Sequence, residues 1–331
     1  MIEHVLDLGN QLKKELETST DFVIEPYKDL LIVGMGGSGV AGDVLKLVMN
    51  EASQINVEVR KTYGIPKVTA DKRPKCLFIS YSGNTEETVE AVHDAVQYNL
   101  DWSVISSGGQ LVELALKHKK PYVKVPSGLQ PRAAFGLMTK AVMHYVSGDE
   151  SSKYLELCDQ TGDYLNEILE NQPKNKLMSE ALKISNEIGT KTSVIYGGTP
   201  LTYLVAQRWK TQINENAKSK AFVGYMPEIH HNEILSWGGN KKDSKDNYQL
   251  LFLRSANENS QVKKRFELTK KIIGDKVDIS EIENISSDNI ISNLFHLTLI
   301  GDLVSVYMAE NLNIDPYDIT AIEELKKLLK E

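Results

Sequence analysis

The sequence predicts an α/β protein made of two copies of one unit. Each copy is expected to be a parallel sheet flanked by helices, doubly wound and flavodoxin-like. Short apolar runs alternate with segments whose apolar residues recur at helical spacing, which indicates parallel strands joined by crossover helices. Polar, glycine-rich turns follow several runs, and ligands bind beyond the carboxyl ends of strands in such sheets. The pattern of the first half recurs weakly in the second half.

The first half contains the clearer set of elements. A helical pattern over residues 1–20 opens the chain, and residues 135–190 read as mostly helical. The predicted strands between them are Asp29–Val33, Val57–Arg60, Cys76–Ile79, Trp102–Ile105 and Tyr122–Val125. We therefore expect one domain over residues 1–150 and a second over residues 151–331.

The second half repeats this order with an added loop. Ser193–Pro200 runs into a helix and echoes the strand and turn of residues 31–38, and Tyr248–Ser255 echoes residues 76–82. Residues 222–240 look like an insertion, and such loops often carry function. A helix over Ile319–Leu329 closes the chain.

The composition is that of a globular protein without general affinity for nucleic acids or membranes. The chain has 331 residues, 41% hydrophobic and 25% charged, and a formal net charge of −7. The N-terminus lacks the pattern of a signal peptide, and we expect no apolar run of membrane-spanning length. Of the two cysteines, Cys76 and Cys158, the first lies in an apolar strand and is expected to be a reduced, buried thiol. We therefore expect a cytoplasmic protein.

The stretch Ser80–Thr85 carries the strongest functional signal, because hydroxyls, a glycine and an amide stand where a strand turns into a helix. The first N–H groups of a helix have no internal partner and carry partial positive charge, so hydroxyls gathered there suit a phosphate ester. A helix cap would need one polar side chain, whereas this stretch has several. Glu86 and Glu87 follow at once, and they would repel a phosphate unless their side chains point away.

The turn Gly34–Gly39 fits the pattern G-x-G-x-x-G, which by itself suggests a dinucleotide fold. A dinucleotide site prefers an acidic residue at the end of the next strand to hold the ribose. Here that strand ends in Arg60 and Lys61, which would at best suit a 2′-phosphate. We therefore favour a tight turn that needs glycine, and an NADP-dependent reductase remains an alternative.

Three further positions suit chemistry, although each also has a structural interpretation. Arg132 follows a proline and precedes a helix rich in small residues, and it could be a surface arginine. Glu215 stands near the end of a predicted helix, where most glutamates are solvated. His230 and His231 are adjacent, and neighbouring side chains on an extended segment point opposite ways, so we do not expect both to hold one metal ion. Acid–base work by one histidine is the better functional interpretation.

Together these motifs resemble the bifunctional phosphoglucose/phosphomannose isomerases of archaea and some bacteria. The motifs that carry the resemblance are Gly34–Ser38, Ser80–Thr85, Pro131–Ala134, Asn214–Asn216 and His231–Ile234. They occur in the family's order and span nearly the whole chain. The resemblance implies two sugar-isomerase (SIS) domains, the first with the phosphate-binding turns and the second with the catalytic glutamate, the histidine-bearing insertion and the C-terminal helix.

The resemblance also implies an activity. The chain would interconvert glucose 6-phosphate or mannose 6-phosphate with fructose 6-phosphate through a cis-enediol intermediate, a reaction of carbohydrate metabolism in glycolysis and gluconeogenesis. It would need neither cofactor nor metal, and it would act as a homodimer with shared active sites. The groups implied to hold the sugar phosphate are Ser38, Ser80, Ser82, Thr85 and the backbone around Gly37.

The catalytic roles are likewise carried over from the family. Glu215 would move the proton between C1 and C2, and Arg132 would steady the negative charge of the enediolate. His231, supplied by the neighbouring subunit, would open and close the sugar ring. Lys326 in the last helix would assist ring opening, and the adjacent Lys327 fits that position as well.

A non-catalytic sugar-phosphate-binding module of the same fold is the alternative from another class. Such a module could use the Ser80–Thr85 turn alone and would need neither Arg132, Glu215 nor His231. Their joint presence favours the enzyme. The second half has Thr199–Pro200 in place of Ser38–Gly39, so we expect no comparable phosphate turn there.

Overall fold

The computed structural model describes residues 1–19, 28–52, 55–146, 151–170, 175–239 and 241–329. The strands are β1 (Glu17–Thr18), β2 (Asp29–Gly34), β3 (Asn56–Arg60), β4 (Lys75–Ile79), β5 (Asp101–Ser106), β6 (Tyr122–Lys124), β7 (Thr192–Gly197), β8 (Ala221–Tyr225), β9 (Tyr248–Arg254) and β10 (Asp278–Glu283). The α-helices are α1 (Ile2–Leu6), α2 (Leu8–Leu12), α3 (Gly36–Ala52), α4 (Lys67–Ala70), α5 (Glu86–Gln97), α6 (Gly109–Lys117), α7 (Phe135–Tyr145), α8 (Ser151–Glu170), α9 (Lys176–Ile188), α10 (Pro200–Ala217), α11 (Lys241–Asn247), α12 (Ser260–Ile273), α13 (Ile290–Asn311) and α14 (Thr320–Leu328). Short 3-10 helices cover Pro131–Ala133, Glu228–His231 and Glu233–Gly238.

The chain forms two compact units. The N-terminal unit comprises Leu6–Glu170 and Ser287–Phe295. The C-terminal unit comprises Asn171–Ser286 and His296–Glu331 together with Met1–Val5. The unit boundary therefore falls at residue 170, and α13 contributes to both units. The division into domains at residue 150 stays a prediction.

The sheet of the N-terminal unit has the order β1-β6-β5-β4-β2-β3. All pairs are parallel except β1 with β6. Counted from β2, the five parallel strands lie in the flavodoxin-like order 2-1-3-4-5. The strand order reverses between the parallel neighbours β2 and β4, so the turns after these two strands flank the position where such folds bind ligands.

Helices cover both faces of this sheet. Leu31, Phe78 and Trp102 point to the face packed by α5 and α6, where they form one apolar core with Val92 and Leu111. On the opposite face α3 lies close to the sheet, because a Cβ on its Gly42 would come within 2.9 Å of Ile32 Cγ2. Burial of these apolar side chains is the main stabilising force. The predicted doubly wound α/β fold is confirmed for this unit.

The sheet of the C-terminal unit has the order β10-β9-β7-β8, and all its pairs are parallel. Counted from β7 the order is 2-1-3-4, which is the same winding with one strand fewer. One face carries a core of Tyr196, Phe252, Phe266 and Trp237. The second copy predicted from the weak internal repeat is therefore present.

One described helix, α13, is long and apolar enough to cross a membrane by length and composition, contrary to our expectation from the sequence. However, 83% of its apolar window is buried within the protein, as in the core helix of a globular protein. Trp209 donates from Nε1 to the Leu297 carbonyl at 2.8 Å, and a Cβ on Gly301 would lie 2.1 Å from the same nitrogen. Arg208 and Asp302 form a buried ion pair beside it, with 2% of each side chain exposed.

The predicted N-terminal helix is too long. The helices end at Leu12, and Thr18 then pairs with Val123 in an antiparallel bridge. Ser19 Oγ accepts from the Tyr122 N–H at 3.0 Å and extends this pairing. The local pattern could not reveal it, because the partner strand lies more than a hundred residues away in the chain.

Two strands of the second sheet were missed. Residues 221–225 form β8 and residues 278–283 form β10, so the insertion begins only after Tyr225. Both strands lie at sheet edges and carry half-exposed positions, which weakens the apolar run that marks an interior strand. Cys76 is free and buried as expected, Cys158 is free and buried as well, and burial raises the pKa of each thiol to about 12.

Candidate active site

The two polar turns of the N-terminal unit meet at the point where its strand order reverses. Strands β2 and β4 are neighbours, with Gly34 paired to Ile79. A Cβ on Gly34 would lie 2.8 Å from the Ile79 carbonyl oxygen, so glycine permits the close approach. Gly36 has a φ of +52°, which L side chains rarely adopt. The turn leads directly into α3, whose first N–H groups then face the same region.

The serine oxygens of these turns are each held in place by a main-chain N–H group. Ser38 Oγ accepts from the Tyr81 N–H at 3.1 Å, Ser80 Oγ from the Gly83 N–H at 3.1 Å, and Ser82 Oγ from the Asn84 N–H at 3.3 Å. An oxygen that accepts a main-chain N–H still has its own O–H to donate. Three donors held in this way suit the acceptor oxygens of a phosphate.

Thr85 joins the same cluster instead of capping its helix. Its Oγ1 lies 2.8 Å from Ser80 Oγ, and the oxygens of Ser80 and Ser82 are 3.5 Å apart. Thr85 is the N-cap residue of α5 but makes no side-chain hydrogen bond to that helix. The first N–H groups of α5 are therefore left for another acceptor, and an anion is favoured there by the helix dipole. The turn that was predicted to bind phosphate thus has its groups assembled.

The two acidic residues at the start of α5 lie beside Tyr63. Partial desolvation, followed by the charges of Glu87 and Glu86, raises the pKa of the Tyr63 phenol. Glu86 is exposed and Glu87 is half-buried. The charges of these two carboxylates therefore act on the exposed residue Tyr63.

A second turn holds the phosphate turn in shape. Asn84 Oδ1 accepts from the Gln110 N–H at 3.1 Å, and its Nδ2 donates to the Ser82 carbonyl at 3.2 Å. Gly83 has a φ of +72°, and a Cβ there would lie 1.7 Å from the Gly108 carbonyl oxygen. No residue larger than glycine fits this position without rearrangement. The sequence suggested Asn84 as a site group, but it did not reveal this bracing role.

Arg132 lies against the glycine-rich turn. It is part of the 3-10 helix Pro131–Ala133 and is 4% exposed, so it is not a surface arginine. A Cβ on Gly37 would be 3.2 Å from the Pro131 carbonyl oxygen and 3.6 Å from Arg132 Cα. The fold therefore brings the arginine turn together with Gly37 and Ser38, which the sequence separates by almost a hundred residues.

Glu215 stands in the last turn of α10, and its neighbours hold that turn in place. Asn216 Nδ2 donates to Ser305 Oγ at 2.9 Å, and Asn214 Nδ2 donates to the Ser219 carbonyl at 2.8 Å. Lys218 ends the helix in the left-handed conformation and donates to the Glu215 carbonyl at 2.8 Å. The two asparagines of the motif therefore have structural roles, and the glutamate between them is half-buried.

A cavity of about 300 Å³ opens beside Glu215. It is lined by Asn214, Glu215 and Lys218 from the end of α10 and by residues 318–322 at the start of α14. The helix that begins at this cavity carries Lys326 and Lys327, both exposed. The C-terminal unit thus brings the predicted glutamate together with the base of the predicted lysine helix.

The two adjacent histidines have different environments, although they lie at the end of the 3-10 helix Glu228–His231 and not on the extended segment that we expected. His230 Nδ1 accepts from Arg265 Nη1 at 2.9 Å, and its Nε2 bonds Thr269 Oγ1 at 2.7 Å. Burial and the Arg265 charge lower the pKa of His230. His231 is exposed, and within the described ranges the structure gives it no hydrogen-bond partner. Across the described residues, no group of three or more His, Cys, Asp or Glu side chains is arranged to hold a metal ion.

The corresponding turns of the C-terminal sheet are filled by its own side chains. Thr199 caps α10 by accepting from the Thr202 N–H at 3.1 Å, and Pro200 removes another N–H donor. At the end of β9, Arg254 is held by three carboxylates, those of Glu258, Glu267 and Glu281. This geometry agrees with the expectation that the second copy has no comparable phosphate turn.

The predicted site residues thus fall into two sets, each described within its own unit. Gly37, Ser38, Ser80, Ser82, Thr85 and Arg132 lie together in the N-terminal unit, whereas Glu215, His231 and Lys326 belong to the C-terminal unit. The sequence did not reveal the bracing role of Asn84, nor that the residues at the start of α14 line the cavity beside Glu215. Their only sequence signal is a polar side chain beside a motif.

Comparison with known families agrees with this organisation. Residues 177–329 match the family model described as the bacterial phospho-glucose isomerase C-terminal SIS domain, and residues 24–109 match the SIS domain model. A solved structure of the C-terminal domain of glucosamine-fructose-6-phosphate aminotransferase from Francisella tularensis has a TM-score of 0.68 and 14% identity, covering 95% of this chain and 96% of that chain. At this identity the likeness shows the fold alone.

Curated relatives are more similar. A bifunctional phosphoglucose/phosphomannose isomerase from Thermoplasma acidophilum is 34% identical over 327 residues, which is 98% of both chains. One from Aquifex aeolicus is 33% identical over 311 residues, covering 93% of this chain and 92% of the relative. With the two SIS matches and the assembled hydroxyl turns, these similarities show that the chain belongs to the family of bifunctional phosphoglucose/phosphomannose isomerases.

Proposed function

We propose that this protein is an aldose–ketose isomerase that interconverts glucose 6-phosphate or mannose 6-phosphate with fructose 6-phosphate. The observation that carries the proposal is the set of serine hydroxyls held as donors at the strand-order reversal, with the Arg132 turn packed against Gly37. A phosphate bound there would anchor the sugar. Binding energy from this remote group would orient the reacting carbons.

The chemistry requires removal of a proton next to a carbonyl. We assign this step to Glu215, because a carboxylate can take the proton from one carbon and return it to the next. The electrons of the broken C–H bond form the enediolate, and Arg132 would stabilise its negative charge as a fixed cation. Return of the proton to C2 gives back the aldose, whereas its delivery to C1, together with transfer of the hydroxyl proton from O2 to O1, gives the ketose.

Ring opening and the two epimers involve further groups. We propose that His231, supplied by the neighbouring subunit of a homodimer, transfers the proton that opens the sugar ring. Lys326 or Lys327 would assist. The enediol is planar at C2, so a sugar that can rotate in the site receives its proton on either face. One site would then serve both epimers, without metal or redox cofactor.

The proposal has a cellular setting. Free, buried Cys76 and Cys158 are compatible with a reducing compartment, and we propose a cytoplasmic location in sugar-phosphate metabolism. The homodimer can be tested by light scattering combined with an assay at the same dilution. A fully active monomer would remove the shared-site role of His231.

A two-substrate turnover assay tests the function. Chelator-treated protein receives glucose 6-phosphate and mannose 6-phosphate separately, and fructose 6-phosphate is detected. We expect turnover of both substrates. Reaction of glucose 6-phosphate alone would remove the dual specificity, and binding without turnover of either would support the sugar-phosphate-binding module.

The same assay tests the base. Glu215→Gln should abolish turnover while sugar-phosphate binding persists, because the amide keeps the shape and loses the basicity. Glu310→Gln, a change at an exposed glutamate of the same unit, is the matched control and should leave turnover unchanged. Turnover of the Glu215 variant near that of the wild type would remove Glu215 from the mechanism.

A further inference from the structure

Tyr81 belongs to the phosphate turn in sequence but is turned away from solvent. It lies between Ser80 and Ser82, and only 5% of it is exposed. Its main-chain N–H donates to Ser38 Oγ at 3.1 Å. Its carbonyl accepts from Ser107 N at 3.0 Å and from Ser107 Oγ at 2.6 Å. The backbone of Tyr81 is therefore part of the rigid frame that holds the serine hydroxyls.

The side chain of Tyr81 reaches a different segment. Its hydroxyl donates to the Pro126 carbonyl at 2.9 Å and accepts from the Leu129 N–H at 3.0 Å. Burial raises the pKa of this phenol, so the hydroxyl stays protonated and keeps its donor role. The segment that it holds runs directly into the 3-10 helix that carries Arg132.

A second buried side chain holds this helix from its other end. Gln11, 3% exposed, donates from Nε2 to the Ala133 carbonyl at 3.0 Å. Its Oε1 accepts from the Gly136 N–H at 3.1 Å at the start of α7. Arg132 therefore sits on a short turn that is fastened before it by Tyr81 and after it by Gln11.

The two fastenings differ in what they join. Gln11 fixes the turn to α2, outside the phosphate site, whereas Tyr81 fixes it to the phosphate turn itself. Loops without such bonds are the mobile parts of a fold. Removal of the phenol oxygen would take away the protein partner of the half-buried Leu129 N–H, which favours rearrangement of the loop.

We infer that Tyr81 is a positioning residue that sets the distance between the bound phosphate and Arg132. The inference rests on the proposed function, since it assigns Arg132 to the enediolate. One side chain thus links the group that anchors the substrate to the group that stabilises its reacting end. Tyr81 itself touches neither the phosphate nor the reacting carbons.

A double-mutant cycle on binding tests this role. The variants are Tyr81→Phe, Arg132→Met and the double variant, with Tyr122→Phe as a matched control in the same unit. The probes are inorganic phosphate and arabinonate 5-phosphate, whose carboxylate stands in for the charge of the enediolate. Dissociation constants from calorimetry remain measurable even in variants that do not turn over.

We expect Tyr81→Phe to weaken the binding of arabinonate 5-phosphate roughly tenfold and the binding of inorganic phosphate less than about twofold. In the Arg132→Met background, Tyr81→Phe should not weaken the binding of arabinonate 5-phosphate any further. Tyr122→Phe should change neither constant. An equal loss in both backgrounds, or an equal loss for both probes, would show that Tyr81 acts only on general structure and would overturn the inference.

Failure of the inference and failure of the proposed function give different results. Wild-type protein without isomerase turnover removes the function, whereas turnover with an additive cycle removes only the role of Tyr81. Should Tyr81→Phe not fold, Gln11→Met enters the same cycle, because it loosens the Arg132 turn from the other end. If Gln11→Met still weakened the binding of arabinonate 5-phosphate in the Arg132→Met background, the result would again count against the positioning of Arg132.

Discussion

Ser80→Ala isolates one donor of the phosphate turn. Ser80 is 1% exposed, and its Oγ accepts from the Gly83 N–H at 3.1 Å and lies 2.8 Å from Thr85 Oγ1. The substitution removes this oxygen and the O–H that we assign to the phosphate. The Gly83 N–H keeps a partner, since it also donates to the Ser80 carbonyl at 3.1 Å. The loss of folding stability should therefore be small, about 1 kcal/mol.

The effect on binding should be larger. A hydrogen bond to a charged group contributes about 1.5–3 kcal/mol. Since about 1.4 kcal/mol corresponds to a factor of ten, fructose 6-phosphate should bind roughly 10- to 150-fold more weakly. The binding of inorganic phosphate should weaken by a similar factor, because we assign the lost Ser80 donor to the phosphate group and to no other part of the sugar phosphate.

Titration calorimetry at one fixed ionic strength measures both constants, and urea unfolding measures stability. Ser106→Ala is the matched control. Ser106 ends the neighbouring strand β5, but its hydroxyl donates to the Gly108 carbonyl at 2.8 Å and accepts from the Gly108 N–H at 3.2 Å, so its O–H is already used. Binding of both ligands to Ser80→Ala within about twofold of wild type would refute the assignment of the turn. Equal weakening in the control would point to collapse of the turn.

Two further predictions concern stability. Asp302→Ala should destabilise the protein by about 3–5 kcal/mol in urea unfolding, because Arg208 would be left charged and buried. The control Asp278→Ala breaks a partly exposed pair with Lys191 and should lower the free energy of unfolding by less than about 1 kcal/mol. Equal losses of stability in the two variants would contradict this reasoning. Burial lowers the pKa of His296 to about 4, so the unfolded chain binds this proton first as the pH falls below 6.5. This difference in proton binding contributes about 3 kcal/mol to the free energy of unfolding, fully present above pH 6.5 and lost towards pH 4. The unfolding midpoint of His296→Gln should therefore depend less on pH in that window than the midpoint of the wild type. An unchanged pH dependence would show that His296 is not the titrating group.

Local patterns in the sequence were sufficient for the fold class and for most elements. Interior strands such as Cys76–Ile79 are continuous apolar runs because both faces are covered, and a clear helix pattern follows several of these runs. The edge strands β8 and β10 and the bridge β1 escaped prediction, since their pairing partners are distant in sequence and their side chains are half-exposed.

The assembly of hydroxyls in the Ser80–Thr85 turn could be predicted because its groups are contiguous, and a strand–turn–helix junction has the same geometry wherever it occurs. The sequence by itself therefore determined the winding of the sheets, the hydroxyl-bearing turn and the residue types available for chemistry. Only the tertiary structure decided that Arg132 packs behind Gly37 and that Tyr81 and Gln11 hold its turn. Those contacts join segments separated by tens of residues or more, and no local pattern encodes a distance across a folded core.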